Sequence, residues 1–218
     1  MKGSPATPAP RATTPAAWAL SAVLCAVHAA TGAWALSTRR VPDAWAAFVG
    51  ERPAELRVLL GDRDSARVAA GELWRLVTGP FVHASGLFLL INVVALLALG
   101  QIVETRLGAK RWLVVFLLGA VGGGLVSQLS GVVRTDGASG GAYALLGAAI
   151  AWGRWAPDLD DDERRWLVRV LGAFAAANVV WSLVDPRLDA AAHVGGLGIG
   201  AWLVWRWMRG ARTHEGLG

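Results

Sequence analysis

Residues 137–153 read Gly-Ala-Ser-Gly-Gly-Ala-Tyr-Ala-Leu-Leu-Gly-Ala-Ala-Ile-Ala-Trp-Gly, an apolar run whose only hydroxyls are on Ser139 and Tyr143. A second apolar run, residues 190–207, carries Ala192-His193-Val194-Gly195-Gly196 near its start. An ionisable side chain inside a membrane helix is costly, so His193 reads as functional with a partner to be found. Ser139, in Gly137-Ala138-Ser139-Gly140, is the natural partner. A serine hydroxyl is a weak nucleophile until an adjacent base takes its proton, and histidine is the usual base. The pair points to serine hydrolase chemistry within a bilayer.

The rest of the chain agrees with a membrane setting. Of its 218 residues, 55% are hydrophobic and 17% charged, against roughly 25% charged in an ordinary soluble domain. Six apolar stretches stand out, at 16–36, 81–103, 112–133, 137–153, 166–184 and 190–207. Most reach the roughly 17–25 residues that cross a bilayer as helix. The first is longer than a signal-peptide core and five more follow it, so it reads as a span. The spans define one unit over residues 16–208, with an external loop at 37–80. Residues 1–15, rich in Pro, Ala and Thr, read as a disordered cytoplasmic tail, and 209–218 as a C-terminal cytoplasmic tail.

Basic residues orient the bundle. Arg106, Lys110 and Arg111 follow the second span, Arg154, Arg164 and Arg165 the fourth, and Arg206, Arg209 and Arg212 end the sixth. The loops after the third and fifth spans carry only Arg134 and Arg187. Both termini are therefore expected in the cytoplasm. Trp112, Trp152, Trp155, Trp166, Trp202, Trp205 and Trp207 fall at the expected cytoplasmic ends as an aromatic belt. The net charge of +5 lies in these loops, which leaves no soluble basic face for nucleic acid. Cys25, the single cysteine, excludes an intrachain disulfide and reads as a small core residue. The acidic run from Asp158 to Glu163 reads as a solvated loop. His28 has no evident polar partner, and His214 lies in the polar tail.

Depth tests whether the polar residues can meet. Ser139 lies 15 residues before Arg154, His193 13 before Arg206, and Asn92 12 before Glu104. At about 1.5 Å per residue these are roughly 22, 20 and 18 Å from the cytoplasmic ends, within a hydrocarbon core of about 30 Å. All three fall in the outer half. Tyr143 and Gly147 share the face of Ser139, and Gly196 and Gly200 follow His193 in a Gly-x-x-x-Gly pattern that lets helix backbones approach closely. The run Gly137-Ala-Ser139-Gly-Gly141, with Asp185 and His193 downstream, also matches a nucleophile elbow, but that device needs a strand–turn–helix in a parallel sheet. Long apolar helices flank it here, which excludes the soluble hydrolase. A transporter or channel would place charges within the spans, and only Arg169, near a cytoplasmic end where it can snorkel, does so.

Five ordered motifs over residues 72–205 resemble the rhomboid intramembrane serine proteases. Glu72-Leu-Trp74-Arg75 with Phe81-Val-His83-Ala84 is similar to the family's approach to the second span. Asn92 matches its polar position there, and Gly100-Gln-Ile-Val-Glu104-Thr-Arg106-Leu-Gly108 its cytoplasmic-end motif. Gly137-Ala-Ser139-Gly140 with Tyr143 matches the nucleophile motif, and Ala192-His193 with Gly196 and Gly200 the base-bearing span. The resemblance implies an all-α membrane protein, a six-transmembrane-helix rhomboid-like bundle in a bacterial plasma membrane. It implies Ser139 as nucleophile and His193 as base, Tyr143 packed on the imidazole, and an oxyanion hole from Asn92 and the Ser139 backbone N–H. Trp74, Arg75, Glu104 and Arg106 become structural residues. No cofactor or metal is implied; the partners are single-span membrane substrates and the bilayer.

One position departs. The family usually carries a histidine one turn before the asparagine, where this chain has Phe88, in Phe88-Leu89-Leu90-Ile91-Asn92. Phe88 shares the face of Asn92 but donates no hydrogen bond. That departure supports an alternative, a catalytically weak or inactive rhomboid-like protein that binds membrane helices.

Overall fold

The computed structural model describes residues 13–157 and 159–215. The chain is mostly helical (77%). Six long helices organise it: α1 (Pro15–Ser37), α2 (Gly86–Leu107, with a π turn at Gly100–Glu104), α3 (Ala109–Leu129), α4 (Ser139–Trp155), α5 (Asp161–Val184) and α6 (Ala190–Glu215). Among the described residues, four of these, α1, α2, α3 and α5, are long and apolar enough to cross a membrane. The chain is an integral membrane protein.

The 17-residue α4 sits at the centre, packed against α3 and α6. Its composition explains its place. Gly140, Gly141, Ala144, Gly147, Ala148 and Ala151 are all buried, and they leave room for neighbouring backbones. A Cβ on Gly196 would lie 2.1 Å from the Gly140 carbonyl oxygen, one on Gly200 1.8 Å from that of Ala144, and one on Gly147 2.1 Å from that of Leu197. The α4 and α6 backbones therefore touch directly along this face.

Glu104 joins α2 to the start of α1. The Ala16 and Ala17 N–H groups donate to its carboxylate at 2.8 and 2.9 Å. These are first-turn donors without intrahelical partners, and the negative charge suits the positive helix end. Arg106 donates to the Ile102 carbonyl and pairs with Glu163, tying α2 to the start of α5.

Residues 38–85 form short helices (Ala44–Phe48, Ala54–Leu60, Ser65–Ala69, Arg75–Thr78) and the strand Arg63–Asp64. That strand pairs antiparallel with Arg134–Thr135, in register Arg63↔Thr135 and Asp64↔Arg134. The long loop is thereby fastened to the segment leading into Ser139. Arg75 is buried; it donates to the Glu72 carboxylate and to the Val58 and Asp62 carbonyls, and its guanidinium lies over the half-exposed Trp74 ring. Asp62 is fully buried, with Arg134 at 3.5 Å. Burial pushes its carboxyl up to about 6, and the Arg134 charge opposes that rise.

Several local expectations need correction. Trp112 is not in an interfacial belt; it is fully buried and stacks on Phe116 at 6.1 Å. Cys25 is exposed on α1, not packed in the core. His28 does have a partner, the Phe48 carbonyl at 3.1 Å from Nε2. The acidic run is solvated as expected, with Asp160, Asp161 and Asp162 exposed, but from Asp161 it is helix and not loop. Asp160 caps the helix that opens at Asp161, accepting from the Glu163 N–H, and Asp161, Asp162 and Glu163 fill its first turn, where negative charge is favoured. Likewise α6 continues to Glu215 instead of ending near 208. Residues 1–12 of the expected N-terminal tail lie outside the described residues.

Candidate active site

Ser139 is the first residue of α4. The preceding turn depends on Gly137, whose φ of +89° favours glycine. At a helix start the leading N–H groups have no intrahelical acceptors, so the Ser139 N–H and its neighbours are free to bind an anion.

His193 stands in the first turn of α6, held by the cap at Asp189. The Ala192 N–H donates to the Asp189 carboxylate at 2.9 Å, and the Ser127 and Thr135 hydroxyls donate to its other oxygen. Arg63, 2% exposed, stands 3.9 Å from this carboxylate and donates to Ser127, Gln128, Thr135 and the Val132 carbonyl. The long loop, α3, the approach to Ser139 and the start of α6 thus share one buried polar network. Buried networks of this kind, with most of their members paired, rigidify what they join.

From this frame, His193 Nε2 comes 3.0 Å from Ser139 Oγ. The Tyr143 ring stacks on the imidazole with centroids 4.0 Å apart and planes 7° from parallel. The other ring nitrogen, Nδ1, lies 2.8 Å from the Ser182 hydroxyl of α5. Ser182 escaped the sequence reading. Its signal was the polar pair Asn178 and Ser182, one turn apart in an apolar span.

The expected oxyanion residues are close together but not all aimed the same way. Asn92 is buried beside Gly137, with Nδ2 3.7 Å from where a Gly137 Cβ would stand. One of its amide hydrogens goes back to the Phe88 carbonyl at 2.8 Å, which leaves one for a ligand. Phe88 is half-buried one turn earlier. The imidazole nearest the nucleophile turn comes instead from His83, which the sequence reading had only as part of an approach motif. It is 1% exposed, and the Ala138 N–H donates to its Nε2 at 3.4 Å. An accepting Nε2 is unprotonated, so His83 is bound as the neutral ring.

Beside Gly137, Gly140 and Ala192, and lined also by Arg63 and Thr135, is a cavity of about 20 Å³, room for one water. Asp185 pairs with Arg187 in the turn after α5. Among the described residues, no group of three His, Cys, Asp or Glu side chains is placed to hold a metal.

Comparison with known proteins matches residues 70–210 to the Rhomboid domain model. The rhomboid protease GluP of Bacillus subtilis is 27% identical over 152 residues, 68% of this chain and 29% of that protein. RHOMBOID-like protein 5 of Arabidopsis thaliana is 29% identical over 154 residues, 66% of this chain and 47% of that protein. The rhomboid protease GlpG of Yersinia pestis is 32% identical over 151 residues, 66% of this chain and 52% of that protein. The chain therefore spans about half the length of these relatives or less. The match takes in the helix that opens on Ser139, the helix that carries His193 and the segment that begins before Trp74. The chain belongs to the rhomboid family.

Proposed function

We propose that the chain is an intramembrane serine endopeptidase that cleaves single-span membrane proteins near the external face of a bacterial plasma membrane. The observation that carries this reading is the 3.0 Å contact between Ser139 Oγ and His193 Nε2, on an imidazole already stacked by Tyr143. Ser139 Oγ attacks the scissile carbonyl carbon while its proton passes to His193 Nε2. The carbonyl oxygen becomes an oxyanion, met by the Ser139 N–H at the helix start and by the free amide hydrogen of Asn92. Collapse breaks the C–N bond, and His193 returns the proton to the leaving amine. Water then attacks the acyl ester, again through His193, and regenerates Ser139.

In this reading residues 16–208 are one six-span unit, with α4 and α6 crossing beside the other four helices and both termini cytoplasmic. Ser139, at the start of α4, then lies toward the external side of the bilayer, and the small cavity beside Gly137 and Gly140 has room for one hydrolytic water. A substrate must present an extended segment there, since a helix hides its scissile carbonyl behind hydrogen bonds. The test is cleavage of a single-span model substrate by the intact chain in liposomes, with the cut mapped by mass spectrometry. Cleavage in the external third of the substrate's span is expected. A cut at the cytoplasmic side would overturn the proposed orientation, and no cut in any substrate with an unwound external segment would overturn the proposed activity.

The inactive, helix-binding alternative has one observation in its favour, Phe88. A gain-of-function variant separates the two. Phe88→His is expected to raise kcat, by up to about 10²-fold, with little change in KM, because an added oxyanion donor acts only as charge develops. Unchanged or lower kcat in a folded variant would mean that the site lacks no donor there.

A further inference from the structure

The imidazole of His193 has two hydrogen-bonding neighbours, and the one on α5 decides which nitrogen carries the proton. Ser182 is 4% exposed, with Oγ 2.8 Å from His193 Nδ1. The same hydroxyl donates to the Asn178 carbonyl at 2.8 Å. A serine hydroxyl has one proton, and a carbonyl can only accept. With that proton committed to Asn178, Ser182 Oγ meets His193 as an acceptor, so Nδ1 must carry hydrogen. A neutral imidazole protonated at Nδ1 has a bare Nε2, the atom that faces Ser139 at 3.0 Å.

From this chain of donors and acceptors we infer that Ser182 is a positioning residue that fixes His193 as its Nδ1–H tautomer and so leaves Nε2 ready to take the Ser139 proton. The inference rests on the serine–histidine reading proposed above and adds a third member to it from a separate helix. Tyr143 and Ser182 divide the work. The stacked ring fixes the plane of the imidazole, and the hydroxyl fixes its rotation within that plane. The opposite tautomer would require Ser182 to turn its proton to Nδ1 and abandon Asn178. When His193 becomes imidazolium during the reaction, the Nδ1–H bond to Ser182 persists, so no regrouping is needed.

Two substitutions and two readouts test this in the intact chain in detergent. The first readout is the ¹⁵N spectrum of the neutral His193 ring, which reports the tautomer whether or not the protein is active. The second is the rate of covalent labelling by a fluorophosphonate. In the unsubstituted chain the spectrum is expected to show Nδ1–H. Ser182→Ala is expected to give a tautomer mixture and labelling about tenfold slower, the scale of one lost hydrogen bond. Ser182→Thr, which keeps the hydroxyl and its bond to the preceding turn, is expected to stay within about twofold. An Nε2–H ring in the unsubstituted chain overturns the inference even if Ser182→Ala does not fold. So does a folded Ser182→Ala with unchanged spectrum and rate. If the unsubstituted chain is never labelled, it is the proposed activity that fails, while the spectrum still reads the role of Ser182.

Discussion

Ser139→Ala and His193→Ala are each expected to lower cleavage of a transmembrane substrate by about 10⁴-fold or more, with insertion and fold intact. The size follows from what each change removes. Without Oγ there is no nucleophile, and without the imidazole the hydroxyl must lose its proton to water in a site largely closed to it. Groups that act as a unit fail together, so the double variant should be little worse than either single one. The fold should tolerate both changes. Ser139 is half-buried at a helix start, and loss of the His193 ring leaves the Gly196–Gly200 face untouched. The check is product formation in liposomes beside a thermal melt of each variant. Full activity in either single variant would remove the dyad from the account.

Gly200→Val is expected to cost about 3 kcal/mol or more of stability, at the upper end of overpacking effects. The added Cβ would stand 1.8 Å from the Ala144 carbonyl oxygen, and the obstacle is backbone, which cannot rotate away. The α4 and α6 axes would have to separate, and with them Ser139 and His193. A control lies two residues earlier on the same helix. A Cβ on Gly198 meets nothing within 4 Å, so Gly198→Ala should be neutral or stabilising by up to about 1 kcal/mol through helix propensity. Thermal unfolding in detergent compares the two. Equal melting temperatures would show that the α4–α6 contact does not hold the bundle together.

These two predictions use features that were legible in the chain itself. Ser139 and His193 declare themselves because a polar side chain in an apolar helix is conspicuous, and helix rise alone sets them at one depth. The Gly196–Gly200 spacing foretells close packing because small residues one turn apart share a face. The illegible part of the site comes from helices whose mutual rotation no periodicity fixes. Ser182 reaches His193, His83 reaches the turn at Gly137, and Arg63 reaches Asp189 only through tertiary packing across 11, 54 and 126 positions of chain. The same reason misplaced Trp112. Its position near a helix end suits an interfacial tryptophan, yet the side of the helix it shares with Phe116 is buried in the core. The acidic stretch before Arg164 misled differently, because a charge run was weighed by its polarity and not by its capping pattern.

The central claim is that a bilayer-embedded hydroxyl, that of Ser139, is activated by His193. The most direct measurement is to expose the intact chain in lipid bilayers to a fluorophosphonate and locate the adduct by mass spectrometry after digestion. The account predicts one adduct, on Ser139, that is lost when His193 is replaced by Ala and the fold is preserved. An adduct on another residue, or labelling of Ser139 that survives His193→Ala undiminished, would contradict it.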